Sequence, residues 1–309
     1  RTVPCHDPLG RIISAKYGVA GRTAVIETAA ASGLGLLRRN ELNPVLTSSY
    51  GTGELMLDAL EHGAEEIWLG LGGSATCDGG IGLLQALGYR FRTDEAKSGS
   101  SLVNIQEIDS SGRCKALDSC KITGFYDVSV PFCGPGGAAR MFAPQKGASP
   151  AMVEMLDEWM SRLCETYVEF SEMDVMNIPG SGAAGGIGGA LGSTMAQGIH
   201  KVLDIAGFGQ KLKSCDLVIT GEGRADIQTL RGKVPVGVLE YSRRHRAPGK
   251  SPKVILIAGR LSDKEQLLEA GFDAVLQVTP EDTPLPVALA PATAEANITR
   301  TIKEYQANL

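Results

Sequence analysis

The feature that most constrains this chain is a repeated grammar: a short apolar stretch, a glycine-rich turn, then an amphipathic stretch that a glycine stops. Ile67, Leu69 and Leu71 alternate as a strand does and run into Gly72-Gly73-Ser74-Ala75-Thr76-Cys77-Asp78-Gly79-Gly80. Leu83, Leu84 and Leu87 then share a helical face that Gly88 ends. Upstream, Val25 and Ile26 read as a short strand entering the Ala-rich turn 27–33, and residues 53–63 as a helix with Met56, Ala59 and Leu60 on one side. The last third is more regular. It reads as strand 217–219, helix 234–241, strand 254–258, helix 263–270 and strand 274–278. Residues 286–309 follow, mostly as a C-terminal helix with Ile298, Ile302 and Tyr305 on one side. Strands separated by helices of this length imply right-handed parallel crossovers, so the expected fold is α/β with an open, doubly wound parallel sheet. Ligands of such sheets sit at the carboxyl ends of strands, where residues 221–226 and 259–263 fall.

Glycine supplies 39 of the 309 residues, well above the usual share of about 7 %. Its clustering suggests backbone brought close to a ligand. The run 179–189 is too glycine-rich to start as a stable helix, at about 1 kcal/mol lost per glycine relative to alanine. It is expected to be a loop entering a helix near Ala190. Residues 151–163 form a clear helix whose stripe Met152, Met155, Leu156, Trp159 and Leu163 reads as core. Residues 93–121 are polar and Ser-rich, a loop with one short strand at most.

The length suits two domains, or one large one. With 30 Lys+Arg against 35 Asp+Glu the net charge is −5, which argues against nucleic acid as the main partner. No apolar run approaches the roughly 18–20 residues of a membrane span, so no membrane partner is expected. Seven irregularly spaced cysteines without a CxxC, and four scattered histidines, point away from a zinc site or disulfide framework and toward a reducing cytoplasm.

Four constellations could carry chemistry. The loop 72–80 offers convergent backbone N–H groups at Gly72 and Gly73, the hydroxyls of Ser74 and Thr76, and a following helix N-terminus. Together these suit a phosphate or carboxylate, or the loop is a helix cap made by Asp78. It is neither a Walker loop nor a G-x-G-x-x-G fingerprint. The stretch Thr220-Gly221-Glu222-Gly223-Arg224-Ala225-Asp226, followed by Gln228 and Lys233, puts two carboxylates and two cations at the end of a strand. It could hold a metal–phosphate ensemble, or be surface ion pairing. Lys146 in Pro144-Gln145-Lys146-Gly147, with Asp127 upstream, and the glycine run containing Gly185 and Gly186 are the other two. A solvated lysine and close helix packing are the alternatives there.

Taken together these blocks resemble the glycerate kinase family, the type-I, bacterial-style enzymes that phosphorylate the 2-hydroxyl. The matching stretches are Ile26-Glu-Thr-Ala-Ala-Ala-Ser-Gly-Leu34, Tyr50-Gly-Thr-Gly-Glu-Leu55, the loop 72–80, Pro144-Gln-Lys-Gly147, Gly182-Ala-Ala-Gly-Gly186 and Asp216-Leu-Val-Ile-Thr-Gly-Glu-Gly-Arg-Ala-Asp226. They stand in the family's order across nearly the whole chain. The resemblance implies two α/β domains. Residues 1–200 would form a restriction-endonuclease-like domain carrying the first glycine loop, and 201–309 the C-terminal part of a flavodoxin-like doubly wound sheet. The family's usual opening motifs, Ala-Pro-Asp-Ser-Phe-Lys and Met-Ala-Asp-Gly-Gly-Glu-Gly, do not occur, so the chain is expected to lack about 65–70 N-terminal residues. Cys77 stands where Asn is usual, and Tyr126-Asp127-Val128-Ser129 replaces Cys-Asp-Val-Asp, so that only Asp127 carries over.

The resemblance further implies D-glycerate as acceptor in a cleft between the domains, with ATP and magnesium. Gly72, Gly73, Ser74 and Thr76 would grip an anionic group, together with Gly185 and Gly186. Glu222 and Asp226 would hold magnesium or orient the glycerate hydroxyls. Arg224, Lys233, Lys146 and Gln228 would meet carboxylate or phosphate oxygens, and Asp78 or Asp127 would take the hydroxyl proton. A homo-oligomer is also possible, because an uncovered central sheet edge would need cover. The rivals are an inactive, truncated relative that binds glycerate or nucleotide, and a nicotinamide-dependent oxidoreductase. The missing dinucleotide fingerprint counts against the second.

Overall fold

The computed structural model describes residues 1–93, 104–171, 173–190, 194–247, 249 and 251–307. The chain divides into two compact units, Arg1–Ala196 and Gln197–Leu309. It is a mixed α/β protein with parallel-rich sheets. No helix among the described residues is long and apolar enough to cross a membrane.

The first unit opens with β1 (Thr2–His6), β2 (Ile12–Lys16), β3 (Gly18–Ala20), β4 (Thr23–Glu27) and the short α1 (Thr28–Ser32). Then come α2 (Tyr50–Glu61), β5 (Glu66–Gly70), α3 (Ile81–Ala86), β6 (Arg90–Thr93), β7 (Ile105–Asp109) and β8 (Lys121–Tyr126). It continues through α4 (Ala138–Phe142), α5 (Pro150–Ser171), α6 (Ile187–Ala190) and β9 (Thr194–Gln197). The main sheet has the order β3-β4-β5-β8-β9. Its β4, β5 and β8 are parallel, and Glu27 pairs with Gly70 and Gly70 with Phe125. Three carboxyl ends therefore lie level along one edge of the sheet. Ile26, Ile67 and Leu69 point into a core completed by Leu55, Met56, Leu83, Phe132, Leu156 and Met160. Gly53 lets α2 approach α3: a Cβ there would stand 2.4 Å from the Leu83 carbonyl oxygen.

The second unit contains α7 (Gly198–Ile205), α8 (Phe208–Leu212), β10 (Leu217–Ala225), α9 (Val234–His245) and β11 (Lys253–Leu261). It ends with α10 (Lys264–Glu269), β12 (Ala274–Gln277), α11 (Leu285–Ala288) and α12 (Pro291–Ala307). β10, β11 and β12 form a parallel sheet in chain order. Val218, Val254, Leu256 and Val275 join Leu239 of α9 and Leu267 of α10 in its core.

Several expectations need correction. The polar stretch 93–121 holds more order than a loop. β6 and β7 make a hairpin whose Ile105 and Ile108 are buried, while residues 94–103 lie outside the described residues. Residues 1–20, unassigned from sequence, form β1, β2 and β3. The turn 27–33 is mostly α1. The glycine run makes a 3-10 turn over Ala183–Gly185 and enters α6 at Ile187, three residues before the expected Ala190, and residues 191–193 lie outside the described residues. Met155 turns outward, 44 % exposed, while Leu156, Trp159 and Leu163 are buried. The C-terminal segment is two helices, and α12 buries Asn297 and Thr301 while Ile298 faces out. Leu309, the expected helix end, lies outside the described residues.

Candidate active site

In the first unit the carboxyl ends of β4, β5 and β8 bring together Glu27, the start of the glycine loop, and the exposed Asp127 just past β8. The loop itself is turned mostly inward. Gly72 and Gly73 are exposed, whereas residues 74–80 are buried. Its edges are pinned by backbone: Leu34 N–H donates to the Gly73 carbonyl (2.9 Å) and Ala75 N–H to the Ser32 carbonyl (2.8 Å).

Asp78 is 1 % exposed and accepts four hydrogen bonds: from Ser49 N (2.7 Å), Ser49 Oγ (2.8 Å), Gly80 N (3.2 Å) and Gly82 N (3.3 Å). Burial pushes its carboxyl above the usual range, against the pull of these donors. The carboxylate thus sits on the first N–H groups of α3, where an incoming anion was expected. Lys146 is likewise enclosed. Its Nζ donates to Ser74 Oγ (2.9 Å) and to the Thr76 carbonyl (2.6 Å), and burial pushes its pKa down. This lysine ties the loop's middle and does not face solvent.

Gly185 and Gly186 also lie inside. Both have positive φ, at 70° and 99°, and a Cβ on Gly185 would meet the Thr76 carbonyl oxygen at 2.0 Å. Gly79 N–H donates to the Gly185 carbonyl (3.0 Å). The run therefore packs closely against the loop. Asp78 lies where the alternative of a helix cap put it, Gly185 and Gly186 pack closely as their alternative had it, and Lys146 is enclosed with them. Ser74 and Thr76, 4 % and 0 % exposed, are enclosed with them.

The second unit is different. The expected strand 217–219 continues through Ala225, so the Thr-Gly-Glu-Gly-Arg segment is strand and not loop. Its end is tied by Thr229, fully buried. Thr229 Oγ1 donates to Glu222 Oε1 and accepts from Asp226 N (3.1 Å). One hydroxyl thereby ties the Glu222 carboxylate to the backbone of Asp226. Asp226 Oδ1 accepts from Gln228 N (2.9 Å), capping the 3-10 turn Ile227–Arg231. Lys233 Nζ stands 3.5 Å from Glu222 Oε2, and Arg224 Nε 3.4 Å from Asp226 Oδ2. Arg224 is 72 % exposed and Lys233 36 %. Both cations can meet a ligand as well as their carboxylates. Gln228, whose backbone N–H caps onto Asp226, is exposed.

Magnesium takes hard oxygen ligands, commonly one or two carboxylates with waters and phosphate oxygens completing the shell. The carboxylates of Glu222 and Asp226 are donors of that type. Among the described residues no group of three or more His, Cys, Asp or Glu could hold a metal by itself. Sequence reasoning missed Thr229 and Glu27. Asp226 followed by Thr229 has capping-box spacing, which was the available signal for the first. Glu27 lay in a recognised motif, but its level with Gly70 appears only from strand register.

Comparison with known proteins gives consistent results. The chain matches the Glycerate kinase family over residues 1–308. It is 43 % identical over 282 residues to a glycerate 2-kinase of Escherichia coli K12, covering 88 % of this chain and 73 % of that protein. It is 42 % identical over 311 residues to a glycerate kinase of Bacillus cereus, covering 97 % and 80 %. The crystal structure of a candidate glycerate kinase 2 from Salmonella typhimurium LT2 superposes with a TM-score of 0.74 at 40 % identity, covering 99 % of this chain and 83 % of that one.

Proposed function

The chain belongs to the glycerate kinase family, and from that premise we propose that it transfers a phosphoryl group from ATP to the 2-hydroxyl of D-glycerate, giving 2-phosphoglycerate and ADP. The observation that carries the reading is the cluster at the end of β10. There Thr229 ties the Glu222 carboxylate to the Asp226 backbone, and Lys233 and Arg224, open to solvent, stand against Glu222 and Asp226 respectively. Phosphoryl transfer asks for positioning and charge neutralisation more than covalent help, and this cluster supplies both signs of charge on a rigid strand end. The similarity to an E. coli protein named for the 2-position supports the choice of hydroxyl.

Glu222 and Asp226 would hold magnesium in this reading, which would supply charge neutralisation at the phosphate oxygens. Arg224 and Lys233 meet the remaining phosphate or carboxylate oxygens, and Gln228 donates from its amide. In the first unit Gly72 and Gly73 offer exposed backbone to an anionic group. Of the two first-unit aspartates considered as a base, Asp127 is exposed past β8 and Asp78 is enclosed, which favours Asp127. The same reading makes the parallel sheet β10-β11-β12 part of a flavodoxin-like domain and the first unit restriction-endonuclease-like.

The test is ADP release from Mg-ATP by the folded chain, with and without D-glycerate. Glycerate-dependent release with 2-phosphoglycerate as product is expected. Release that ignores glycerate, or none from a chain with a cooperative melt, overturns the reading.

A further inference from the structure

Beside the charged cluster, the carboxyl ends of β10 and β11 open on a groove of about 340 Å3. Its character differs sharply from the cluster it adjoins. Ala258, Leu285, Leu289, Ala294 and Ile298 make its walls. Leu285 and Leu289 are 65 % and 70 % exposed, and Ile298 is 40 % exposed. Glycines make its floor. A Cβ on Gly223 would meet nothing within 4 Å, so the space above that residue is open. Gly259 lies so near that a Cβ there would stand 2.7 Å from the Gly223 carbonyl oxygen. Arg260 borders the groove with its guanidinium tied to backbone carbonyls, Nη1 to Glu281 (2.5 Å) and Nη2 to Thr283 (2.8 Å). Glu222 lines the groove and also belongs to the charged cluster, so the two are continuous.

We propose that this groove is the subsite for the base and ribose of the nucleotide phosphoryl donor, with the phosphates running past Glu222 toward Arg224 and Lys233. The inference rests on the kinase reading above and specifies where the donor lies. Glycerate, a small hydroxylated anion, has no apolar surface to bury against Leu285, Leu289 and Ile298. A purine does, and it is flat enough to lie on a floor without side chains. The volume is at the lower end of small-molecule pockets, about 300–1,000 Å3. A guanidinium held by carbonyls is a fixed plane of the kind on which a base stacks. The position, outside the carboxyl ends of parallel strands, is where open α/β sheets bind their ligands.

The experiment is calorimetric titration of the full chain with Mg-ADP and, separately, with inorganic tripolyphosphate, which has the charge and no base. Leu289→Glu and Ile298→Asp each put a charge into the groove at an exposed position, and thermal melts check that both fold. Val202→Glu, a 60 % exposed site on α7, controls for added surface charge. The expected result is about a tenfold or greater loss of Mg-ADP affinity in both groove variants, from the apolar contact removed. Tripolyphosphate affinity should hold in both, as should the KM for glycerate, while the KM for ATP rises. Wild-type Mg-ADP affinity in both groove variants overturns the inference. So does a change in sedimentation mass without a change in nucleotide affinity, which would make the groove a contact between copies. If the unaltered chain phosphorylates glycerate while the variants lose nothing, the subsite falls and the kinase reading stands. If the unaltered chain neither binds Mg-ADP nor turns over glycerate, the kinase reading itself falls.

Discussion

The loop 72–80 and the segment 220–226 are spelled alike, each a parallel strand running into glycines around a carboxylate, yet they spend their polar groups in opposite ways. In the first, Asp78 is 1 % exposed and takes four donors from its own neighbourhood, and Lys146 is closed over Ser74 and Thr76. In the second, Glu222 and Asp226 are joined through Thr229, and their cationic neighbours remain open to solvent. The first is a built support that leaves two glycines to meet a ligand. The second is a charged strand end whose carboxylates are partnered by a buried hydroxyl, a backbone N–H and solvent-facing cations. Burial, and not the motif, separates the two.

The largest effect that could break this contrast is on stability. Asp78→Ala leaves buried donors at Ser49, Gly80 and Gly82 without an acceptor. Denaturant unfolding should show a loss of about 3–5 kcal/mol, with Asp78→Asn losing less. An unchanged midpoint would mean that the loop does not depend on this carboxylate.

Next comes Lys146→Met, which deletes a buried ammonium and strands the Ser74 hydroxyl and Thr76 carbonyl, at a cost of about 1–3 kcal/mol. It also carries a pH signature. Burial lowers the Lys146 pKa in the folded chain, so between that value and the ordinary lysine value the unfolded chain binds more protons. Wild-type stability should therefore gain relative to Lys146→Met as pH rises through that window. A difference that is flat with pH would contradict the enclosed, desolvated lysine.

The smallest effect sharpens the comparison with a third carboxylate. Burial alone would raise the Asp7 pKa, but Arg11 N (2.9 Å), the Arg11 guanidinium and Leu9 N (2.8 Å) hold it below the usual range. A carboxyl lowered on folding stabilises above its unfolded value, and that contribution is lost as pH falls through the folded one. Asp7→Asn should cost about 1 kcal/mol at neutral pH, and the gap to wild type should close in acid. A gap that persists at low pH would show that the turn uses the side chain's shape and not its charge.

How much of this was legible in the sequence follows the same divide. The strand Glu66–Gly70 and the helix Tyr50–Glu61 were legible because their apolar periods are strong and their ends carry glycine. The hairpin Arg90–Thr93 with Ile105–Asp109 was not. Its outward residues Arg90, Arg92 and Glu107 dominate the composition, and only Ile105 and Ile108 are buried. The first twenty residues failed for a related reason, since Val3, Cys5 and Ala15 alone turn fully inward from β1 and β2. The charged types at 222–226 could be read directly, but their geometry depends on Thr229, which reaches back from a later turn. The fates of Lys146, Gly185 and Gly186 could not be read, because a solvated lysine and an enclosed one are the same letter. Packing against Thr76 and Gly79 decides them, and that is a tertiary fact.

The central claim is that the phosphate chemistry sits on the β10 strand end, whose carboxylates stand beside cations open to solvent. Turnover and unfolding of Asp226→Asn, measured on one preparation beside the unaltered chain, test it most directly. Asparagine caps a turn about as well as aspartate, so stability should stay within about 1 kcal/mol. Glycerate-dependent ADP release should meanwhile fall by about 100-fold or more as the negative charge is lost. Near-normal turnover would contradict the account, as would a loss of turnover matched by an equal loss of folded protein.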